Sequence, residues 1–176
     1  MKVTRIALFL LILSSFSCNN NKESGVINAK KPGEKELADL NSYLVQKDRE
    51  RIQNYAVRKK LKMKESRSGL WYMIKKEGQG DFFKDNDRIV MDYECSLLDG
   101  TKCYSSKKQG PKEIILGRNE IESGLNEGLR MLKPGGEAIF ILPPFLAFGI
   151  LGDNKAIPPR ATLVYEIKIL NEKQSK

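Results

Sequence analysis

Three side chains capable of chemistry surround one predicted turn. Cys95 precedes the turn signal Asp99-Gly100, and Cys103 and Tyr104 follow it. Their spacing permits three interpretations: a disulfide, ordinary hairpin packing, or the wall of a site. The chain contains no histidine, which excludes Ser-His and Cys-His nucleophile pairs and zinc sites with imidazole ligands. We therefore expect chemistry without histidine, and we predict neither a metal nor a cofactor.

The strand register expected for this hairpin bears on the disulfide and leaves the other two interpretations open. In a two-residue loop around Asp99-Gly100, opposed positions sum to 199, so position 95 faces 104 and position 96 faces 103. A bond between Cys95 and Cys103 would then need a bulge. We expect two free thiols, with a disulfide as the alternative in a compartment that permits one.

The net charge of +9 is carried by an arm rather than by the predicted domain. Residues 19–68 hold 13 basic and 7 acidic side chains, whereas residues 69–172 hold 14 basic and 15 acidic ones. A solvated linker beside an anionic membrane surface explains a basic arm as well as a nucleic acid does. Because the domain itself is near neutral, we predict no nucleic-acid partner.

The first segment, MKVTRIALFLLILSSFSC, has the positive start, apolar run and small residues of an export signal. Cys18 ends a stretch that resembles a bacterial lipobox, although Ser15 and Phe16 replace its usual leucine and small residue. We predict a signal peptide over residues 1–17 and lipidation of Cys18, with an ordinary cleaved signal as the alternative. Either outcome places the mature chain outside the cytoplasm. Lipidation would anchor it in the inner or outer membrane, facing the periplasm.

A charged stretch from Gly33 to about position 64 predicts one long helix or two short ones. Two groups of its apolar residues each fit one helical face: Leu37, Leu40 and Leu44, and then Ile52, Tyr55 and Ala56. We interpret residues 18–68 as a lipidated tether and helical arm. The arm is either a spacer that packs lightly on the domain or a helix for dimerisation or docking, and the oligomeric state stays open.

Alternating apolar and polar residues after position 68 predict six strands and one short helix, in the order β-β-β-β-α-β-β. The helix has one apolar face and ends at Pro134-Gly135-Gly136. Mostly antiparallel strands covered by one helix define an α+β domain. We assign it to residues 69–172, followed by a basic tail over residues 173–176.

Four ordered stretches of this domain resemble the motifs of FKBP-type peptidyl-prolyl cis-trans isomerases. VMDYECSLLDGTKCYSS resembles the family's V-x-Y-x-G-x-L-x-D-G-x-x-F-D-S-S, and ILGRNEIESGLNEGLRMLKPGGEA resembles L-G-x-x-x-V-I-x-G-W-x-x-G-L-x-x-M-x-x-G. LPPFLAFGILG resembles I-P-x-x-x-A-Y-G, and IPPRATLVYEIKIL resembles I-P-P-x-A-T-L-x-F-x-V-x-L. The resemblance implies an FKBP-like curved antiparallel sheet wrapped around one short helix, with an apolar pocket between them.

The implied activity suits a chain without histidine. Rotation of an X–Pro amide crosses a barrier of about 18–20 kcal/mol, while its two isomers differ by only about 0.5–1 kcal/mol. A dry apolar pocket favours the less dipolar twisted amide over the planar one and needs no nucleophile. Proline-containing polypeptides are the implied partners.

Carried over by position, the resemblance assigns nine pocket residues. The catalytic aromatic wall is Tyr93, Tyr104, Phe148 and Tyr165, and the substrate-binding residues are Cys103, Ile121, Glu122, Leu125 and Ile157. The backbone N–H of Glu122 would donate to a substrate carbonyl.

Several of these positions depart from the family pattern. The departures are Cys103-Tyr104 for Phe-Asp, Leu125 for the Trp floor, Phe148 for Tyr, Tyr165 for Phe, and Lys112 where an aromatic is common. They leave three hypotheses: an extracytoplasmic isomerase that assists folding of exported or envelope proteins, a weakly active binding module or chaperone, and a structural component of an envelope machine. The order of lipobox, helical arm and domain also resembles gliding-motility-associated lipoprotein isomerases of the Bacteroidetes.

Overall fold

The computed structural model describes residues 33–118 and 121–170. The helices in these ranges are α1 Glu34–Arg58, α2 Ser106–Gln109 and α3 Ser123–Leu129, with a 3₁₀ turn at Pro144–Leu146. The strands are β1 Lys64–Glu65, β2 Trp71–Lys76, β3 Arg88–Leu97, β4 Lys102–Ser105, β5 Lys112–Ile115, β6 Glu137–Leu142 and β7 Leu163–Ile169. The predicted signal peptide, Cys18 and the basic tail lie outside the described residues.

The strands form one antiparallel sheet. Its order is β1-β2-β6-β7-β3-β4, and β5 pairs with the first part of β3 while β4 pairs with the last part. Register shifts interrupt the β2–β6 pairing between Ile74 and Lys76 and the β3–β4 pairing between Cys95 and Ser96. Such shifts bend a strand and increase its twist. The predicted α+β class, with six of these strands, one short helix and a preceding helical arm, is confirmed.

The two faces of the sheet are covered by different helices, because successive side chains of a strand point to opposite faces. On one face α3 packs into the larger core, which contains Leu125, Leu129, Phe140 and Tyr165. On the other face α1 packs into a smaller core of Ile52, Tyr55, Ile139, Ile141 and Val164. Helix α3, which carries the predicted site residue Leu125, therefore lies on the opposite face of the sheet from the arm.

Helix α3 approaches the sheet closely because two of its residues have no side chain. A Cβ atom on Gly128 would lie 2.9 Å from the ring of Phe140, and one on Gly124 would lie 2.8 Å from Cγ of Leu142. Real Cβ atoms do not approach that closely, so a larger residue would push α3 away from β6. The two glycines, near the two ends of α3, thereby set the distance between this helix and the sheet.

The arm is one helix, and its buried residues all lie in its second half. They are Asp48, Ile52, Tyr55 and Ala56, whereas Leu37 and Leu40 in the first half are 49% and 52% exposed. The helix ends at Arg58 rather than near position 64, because Lys60 takes a φ of 55° and the amide of Leu61 donates back to the carbonyl of Ala56. None of the helices within the two described ranges is both long and apolar enough to cross a membrane.

An ion pair between a buried carboxylate and a partly exposed guanidinium fastens the arm to the loop before β7. The carboxylate of Asp48, only 4% exposed, accepts a hydrogen bond from the guanidinium of Arg160 at 2.9 Å. Burial raises the pKa of Asp48, against the opposing effect of the Arg160 charge. The arm is thus held to the domain by a polar contact as well as by the smaller core.

Candidate functional site

Four of the nine predicted residues line one cleft of about 640 Å³. They are Tyr93, Tyr104, Phe148 and Tyr165, and the segment from Gln109 to Glu113, together with Asp153 and Lys155, completes the wall. A larger cleft of about 980 Å³ lies between the β2–β3 connection and the end of β7, but none of the nine residues lines it. We assign the site to the smaller cleft because its aromatic wall is the feature that the sequence pattern predicts.

The pairing of three strands places the tyrosines on one face. Cys95 on β3 pairs with Tyr104 on β4 and also with Tyr165 on β7, and directly paired residues share a face of the sheet. Tyr93 stands two residues before Cys95 and points to the same side. The Tyr93 and Tyr165 rings lie 6.4 Å apart at 37°, within the range of tilted aromatic packing.

A buried phenol–carboxylate pair underlies this wall. The hydroxyl of Tyr165 donates to Oε1 of Glu122 at 2.6 Å, and the two residues are 3% and 8% exposed. Oε2 of Glu122 is also buried and has no hydrogen-bond partner among the described residues. Burial, followed by the Glu122 charge, raises the pKa of Tyr165 far above its usual range. Sequence reasoning gave Glu122 a backbone role alone and missed this side-chain bond.

A second phenol–carboxylate pair closes the opposite side of the cleft. The hydroxyl of Tyr104 donates to Oδ2 of Asp153. Oδ1 of Asp153 accepts the backbone N–H of Lys155 at 2.9 Å and that of Ile157 at 2.7 Å. The departure at Tyr104 therefore does not remove a carboxylate from the site, because Asp153 contributes one from the loop before β7.

These bonds move the pKa values of Asp153 and Tyr104 away from neutral pH. Burial acts to raise the pKa of Asp153, but the hydrogen bonds from Tyr104 and from the two backbone amides outweigh it and lower that pKa. The bond to Asp153 raises the pKa of the Tyr104 phenol. Since Asp153 stays ionised and Tyr104 stays protonated, the pair keeps its donor and acceptor fixed around neutral pH.

Tyr93 is oriented by a residue that sequence reasoning also missed. Its hydroxyl donates to Oε1 of Gln109, at the end of α2, at 2.7 Å. Burial raises the pKa of Tyr93. Lys112, expected near the site in place of an aromatic residue, does line the cleft at the start of β5.

The other predicted residues lie below or beside the wall. Leu125 and Ile157 are buried in the larger core, and Ile121 and Cys103 are half-buried against it. Phe148 remains 37% exposed at the rim. The arrangement is an aromatic cleft over an apolar core, in which each hydroxyl of the three tyrosines has a side-chain acceptor.

Both cysteines in the described ranges are free thiols, as expected. Cys95 is fully buried, and burial raises its pKa to about 12. Position 95 does face 104, but the predicted pairing of 96 with 103 is wrong, because Ser96 pairs with Lys102 and Cys103 occupies a bulge.

The predicted pairing of 96 with 103 fails because the turn is longer than two residues. The amide of Leu97 donates to the carbonyl of Thr101, so three residues rather than two form the loop, with Gly100 at a φ of 95°.

Comparison with known proteins supports a family assignment. Residues 80–170 match the family model described as FKBP-type peptidyl-prolyl cis-trans isomerase. A probable FKBP-type peptidyl-prolyl cis-trans isomerase FkpA of Neisseria meningitidis is 38% identical over 108 residues, which are 61% of this chain and 39% of that protein. FkpA of Escherichia coli K12 is 33% identical over 140 residues, covering 80% of this chain and 49% of that protein. The chain thus spans less than half the length of these two relatives.

Solved structures show the same fold. The crystal structure of FkpA from Escherichia coli matches with a TM-score of 0.62 and 28% identity, over 80% of this chain and 73% of that one. The N-terminal domain of FKBP42 from Arabidopsis thaliana matches with a TM-score of 0.58 and 25% identity, over 62% and 91%. The family model covers more than half of the sequence, and the aromatic cleft lies within the matched residues. The chain belongs to the FKBP-type peptidyl-prolyl cis-trans isomerase family.

Proposed function

We propose that this chain is an extracytoplasmic, lipid-anchored peptidyl-prolyl cis-trans isomerase that assists folding of exported or envelope proteins. The observation that carries the proposal is the cleft itself, with three bonded tyrosines and Phe148 above a core that buries Leu125 and Ile157. Such a site offers an aromatic surface to a prolyl ring, and its lining residues include no nucleophile–base pair. That composition suits a reaction in which no covalent bond breaks.

The rate gain would come from the change in dipole during rotation. A planar X–Pro amide is stabilised by conjugation and by water around its carbonyl oxygen. Transfer into the cleft removes that water and leaves the twisted amide less disfavoured. The backbone N–H of Glu122, at the start of α3, is the proposed donor to a substrate carbonyl. Leu125 leaves more room at the floor than the family's usual Trp would.

A protease-coupled assay on a tetrapeptide of the type Ala-Leu-Pro-Phe tests the activity. We expect catalysed cis-to-trans conversion by the full chain. Val57→Ser, at an exposed position at the end of α1 that does not line the cleft, is the control and retains most activity. A rate equal to the uncatalysed one would exclude isomerase activity.

Lipidation of Cys18 and periplasmic exposure form a separate part of the proposal. They are supported by the sequence pattern of residues 1–18. Metabolic labelling with a radioactive fatty acid tests this part, with Cys18→Ala as the matched variant. Equal labelling of both proteins, or of neither, would contradict it.

A second candidate is a binding module or chaperone with little turnover. It is favoured by Phe148, which lines the cleft without the hydroxyl that the family pattern has there. The variant carrying Tyr104→Asp and Phe148→Tyr should then be markedly more active than the natural chain. Unchanged activity would count against this candidate.

A third candidate is a component of an envelope machine, such as a gliding or secretion apparatus. The exposed Leu37 and Leu40 on the first half of α1 favour it, because they form an apolar stripe that the domain does not cover. Leu37→Ser together with Leu40→Ser should then abolish capture of the partner while leaving isomerase activity, because both side chains are about half exposed and lie outside the core that α1 forms with the sheet. Retained capture would argue against this role.

A further inference from the structure

One wall of the aromatic cleft carries a lysine at an inward-facing position of a strand. Lys112 begins β5, whose side chains are in turn half-buried, exposed, buried and exposed. Lys112 pairs with Met91 on β3, which is fully buried, and Ile114, two residues on, is 3% exposed. Directly paired residues, and residues two apart on a strand, share a face of the sheet. The side chain of Lys112 therefore lies on the inward face of β5.

The ammonium group of Lys112 has no ion-pair or hydrogen-bond partner within residues 33–118 and 121–170, although the residue lines the cleft. Burial raises the pKa of the Cys95 thiol to about 12, and the Lys112 charge acts in the opposite direction. The ammonium is thus close enough to act on a buried group beneath the tyrosine wall. Lysine is seldom buried unless it is paired, and its stem can pack along a wall while its charge stays free.

The acidic groups that line the same cleft are already bonded to other residues. Glu113 accepts two hydrogen bonds from Arg88 on the outer side of the sheet. Asp153 accepts from Tyr104 and from two backbone amides. Neither carboxylate forms an ion pair with Lys112, so its ammonium keeps all three of its donors available.

The loop between β6 and β7 forms another wall and contributes a second lysine. Phe148 and Lys155 of this loop line the cleft, whereas its apolar tip, Ile150 and Leu151, does not and is 71% exposed at both residues. The side chain of Lys155 is exposed, where water and salt screen a charge most strongly. Lys112 is half-buried on a strand, so its charge is less screened and its position is better fixed.

We propose that Lys112 binds the carboxylate of an acidic residue next to the target proline, so that the cleft selects prolines with an Asp or Glu neighbour. This inference rests on the proposed function and adds a side-chain preference that the aromatic wall alone does not supply. The residue paired with Lys112 stands two positions before Tyr93, about 7 Å along β3. The neighbours of a proline bound on the tyrosine wall lie about 3.3–3.6 Å along the chain. A carboxylate on such a neighbour is therefore within reach of Lys112.

Acetylated and amidated tetrapeptides with Glu or Gln beside the proline test the proposal, because these side chains differ in charge and hardly in shape. One pair is Ala-Glu-Pro-Phe and Ala-Gln-Pro-Phe, and the other is Ala-Leu-Pro-Glu and Ala-Leu-Pro-Gln. Exchange NMR measures their isomerisation without a coupled protease. We expect a kcat/KM about fivefold higher for Glu in at least one pair. The gain should lie mainly in KM, since the ion pair forms in the ground state and the transition state alike.

Variants of Lys112 show whether its charge is the cause. Lys112→Met keeps the length of the side chain and removes the charge, so the Glu-to-Gln ratio should fall to about one. Lys112→Arg should keep the preference. Lys112→Glu should favour a peptide with Lys beside the proline over the one with Gln. Each ratio is measured within one protein, so a variant with lower overall activity still gives the comparison.

Lys108→Met is the control for net charge, because Lys108 is exposed on α2 and does not line the cleft. It should keep the wild-type ratio. A wild-type ratio of one or less in both peptide pairs would overturn the proposal, as would an unchanged ratio in Lys112→Met. A ratio that falls equally in Lys108→Met would show general attraction to a basic protein and would also overturn it.

Direct binding distinguishes failure of this preference from failure of the proposed isomerase activity. If no peptide is turned over, fluorescence anisotropy with a fluorophore in place of the acetyl group gives Kd for the same peptides. A Kd about fivefold lower for Glu than for Gln, lost in Lys112→Met, supports the proposal without any turnover. Equal Kd values, or no detectable binding of either Glu peptide, would overturn it.

Discussion

Tyr165 and Glu122 should be strongly coupled in their contributions to the free energy of unfolding, and a double-mutant cycle measures that coupling. The bond is 2.6 Å long and both side chains are more than nine-tenths buried, so neither group can exchange its partner for water. Tyr165→Phe removes the donor to Oε1, so that neither oxygen of the Glu122 carboxylate keeps a hydrogen-bond partner among the described residues. Glu122→Leu leaves the phenol without its acceptor. The double variant replaces both partners by apolar groups.

The burial of the two groups and the kind of bond set the expected changes in the free energy of unfolding. A hydrogen bond to a charged group contributes about 1.5–3 kcal/mol, and a buried group left unpaired loses about 1–3 kcal/mol. We expect Tyr165→Phe to lower the free energy of unfolding by about 2–4 kcal/mol. Glu122→Leu should cost about 1 kcal/mol, because it also removes a buried charge. The double variant should lie within about 1 kcal/mol of the wild type, which gives a coupling energy of about 2 kcal/mol or more.

Urea unfolding followed by the fluorescence of Trp71, the one tryptophan of the chain, gives these values. With a slope of about 2 kcal/mol per molar urea, a loss of 3 kcal/mol moves the midpoint by about 1.5 M. Tyr93→Phe is the control, since its hydroxyl bond is exposed and should contribute less than about 1 kcal/mol. Single-variant effects that add to within about 0.5 kcal/mol would refute the reasoning.

Three further predictions concern the cleft and the arm. Tyr104→Phe removes a donor from Asp153, so the lowered pKa of that carboxyl should move up toward its usual range, as NMR titration would detect; an unmoved pKa would show that the backbone amides suffice. Arg160→Ala leaves Asp48 buried without its hydrogen-bond donor, with an expected loss of about 1–3 kcal/mol in the free energy of unfolding at pH 7. Because burial raises the pKa of Asp48 in the folded chain, Asp48 becomes protonated as pH falls through that pKa, and the loss should shrink. Urea midpoints that change by the same amount from pH 7 to pH 4 in variant and wild type would contradict this expectation. Gly152→Ala forces a positive φ on alanine beside a backbone carbonyl and should lower kcat/KM on a tetrapeptide at least about fivefold, whereas unchanged kinetics would show that the loop adapts.

The strands and the single short helix were predictable because their side chains alternate or repeat with the period of the element. The stretch from Arg88 to Leu97 alternates cleanly, and it forms the strand that carries Tyr93 and Cys95. Strand β1 and helix α2 were missed, since two and four residues are too few to show a period. The pairing of 96 with 103 failed because Asp-Gly fits both two- and three-residue loops.

The site was only partly predictable for a different reason. Positions on strands could be transferred from the motif pattern, and Tyr93, Tyr104 and Tyr165 do line one cleft. Asp153 lies in a loop without periodicity, and its role depends on a tertiary contact with Tyr104. The buried side chain of Glu122 was missed because a glutamate at the start of a helix is usually solvated. A contact between a loop residue and a distant strand, or a buried glutamate at the start of a helix, leaves no local sequence signal.

The exposed tip at Ile150 and Leu151 has a consequence for the colloidal behaviour of the chain. Two adjacent apolar side chains that are exposed to solvent can contact the same tip on another molecule. The net charge of +9, mostly on residues 19–68, opposes that encounter through mutual repulsion. The repulsion decays over about 8 Å at physiological ionic strength. Repulsion between the basic arms thereby opposes self-association of the chain through Ile150 and Leu151.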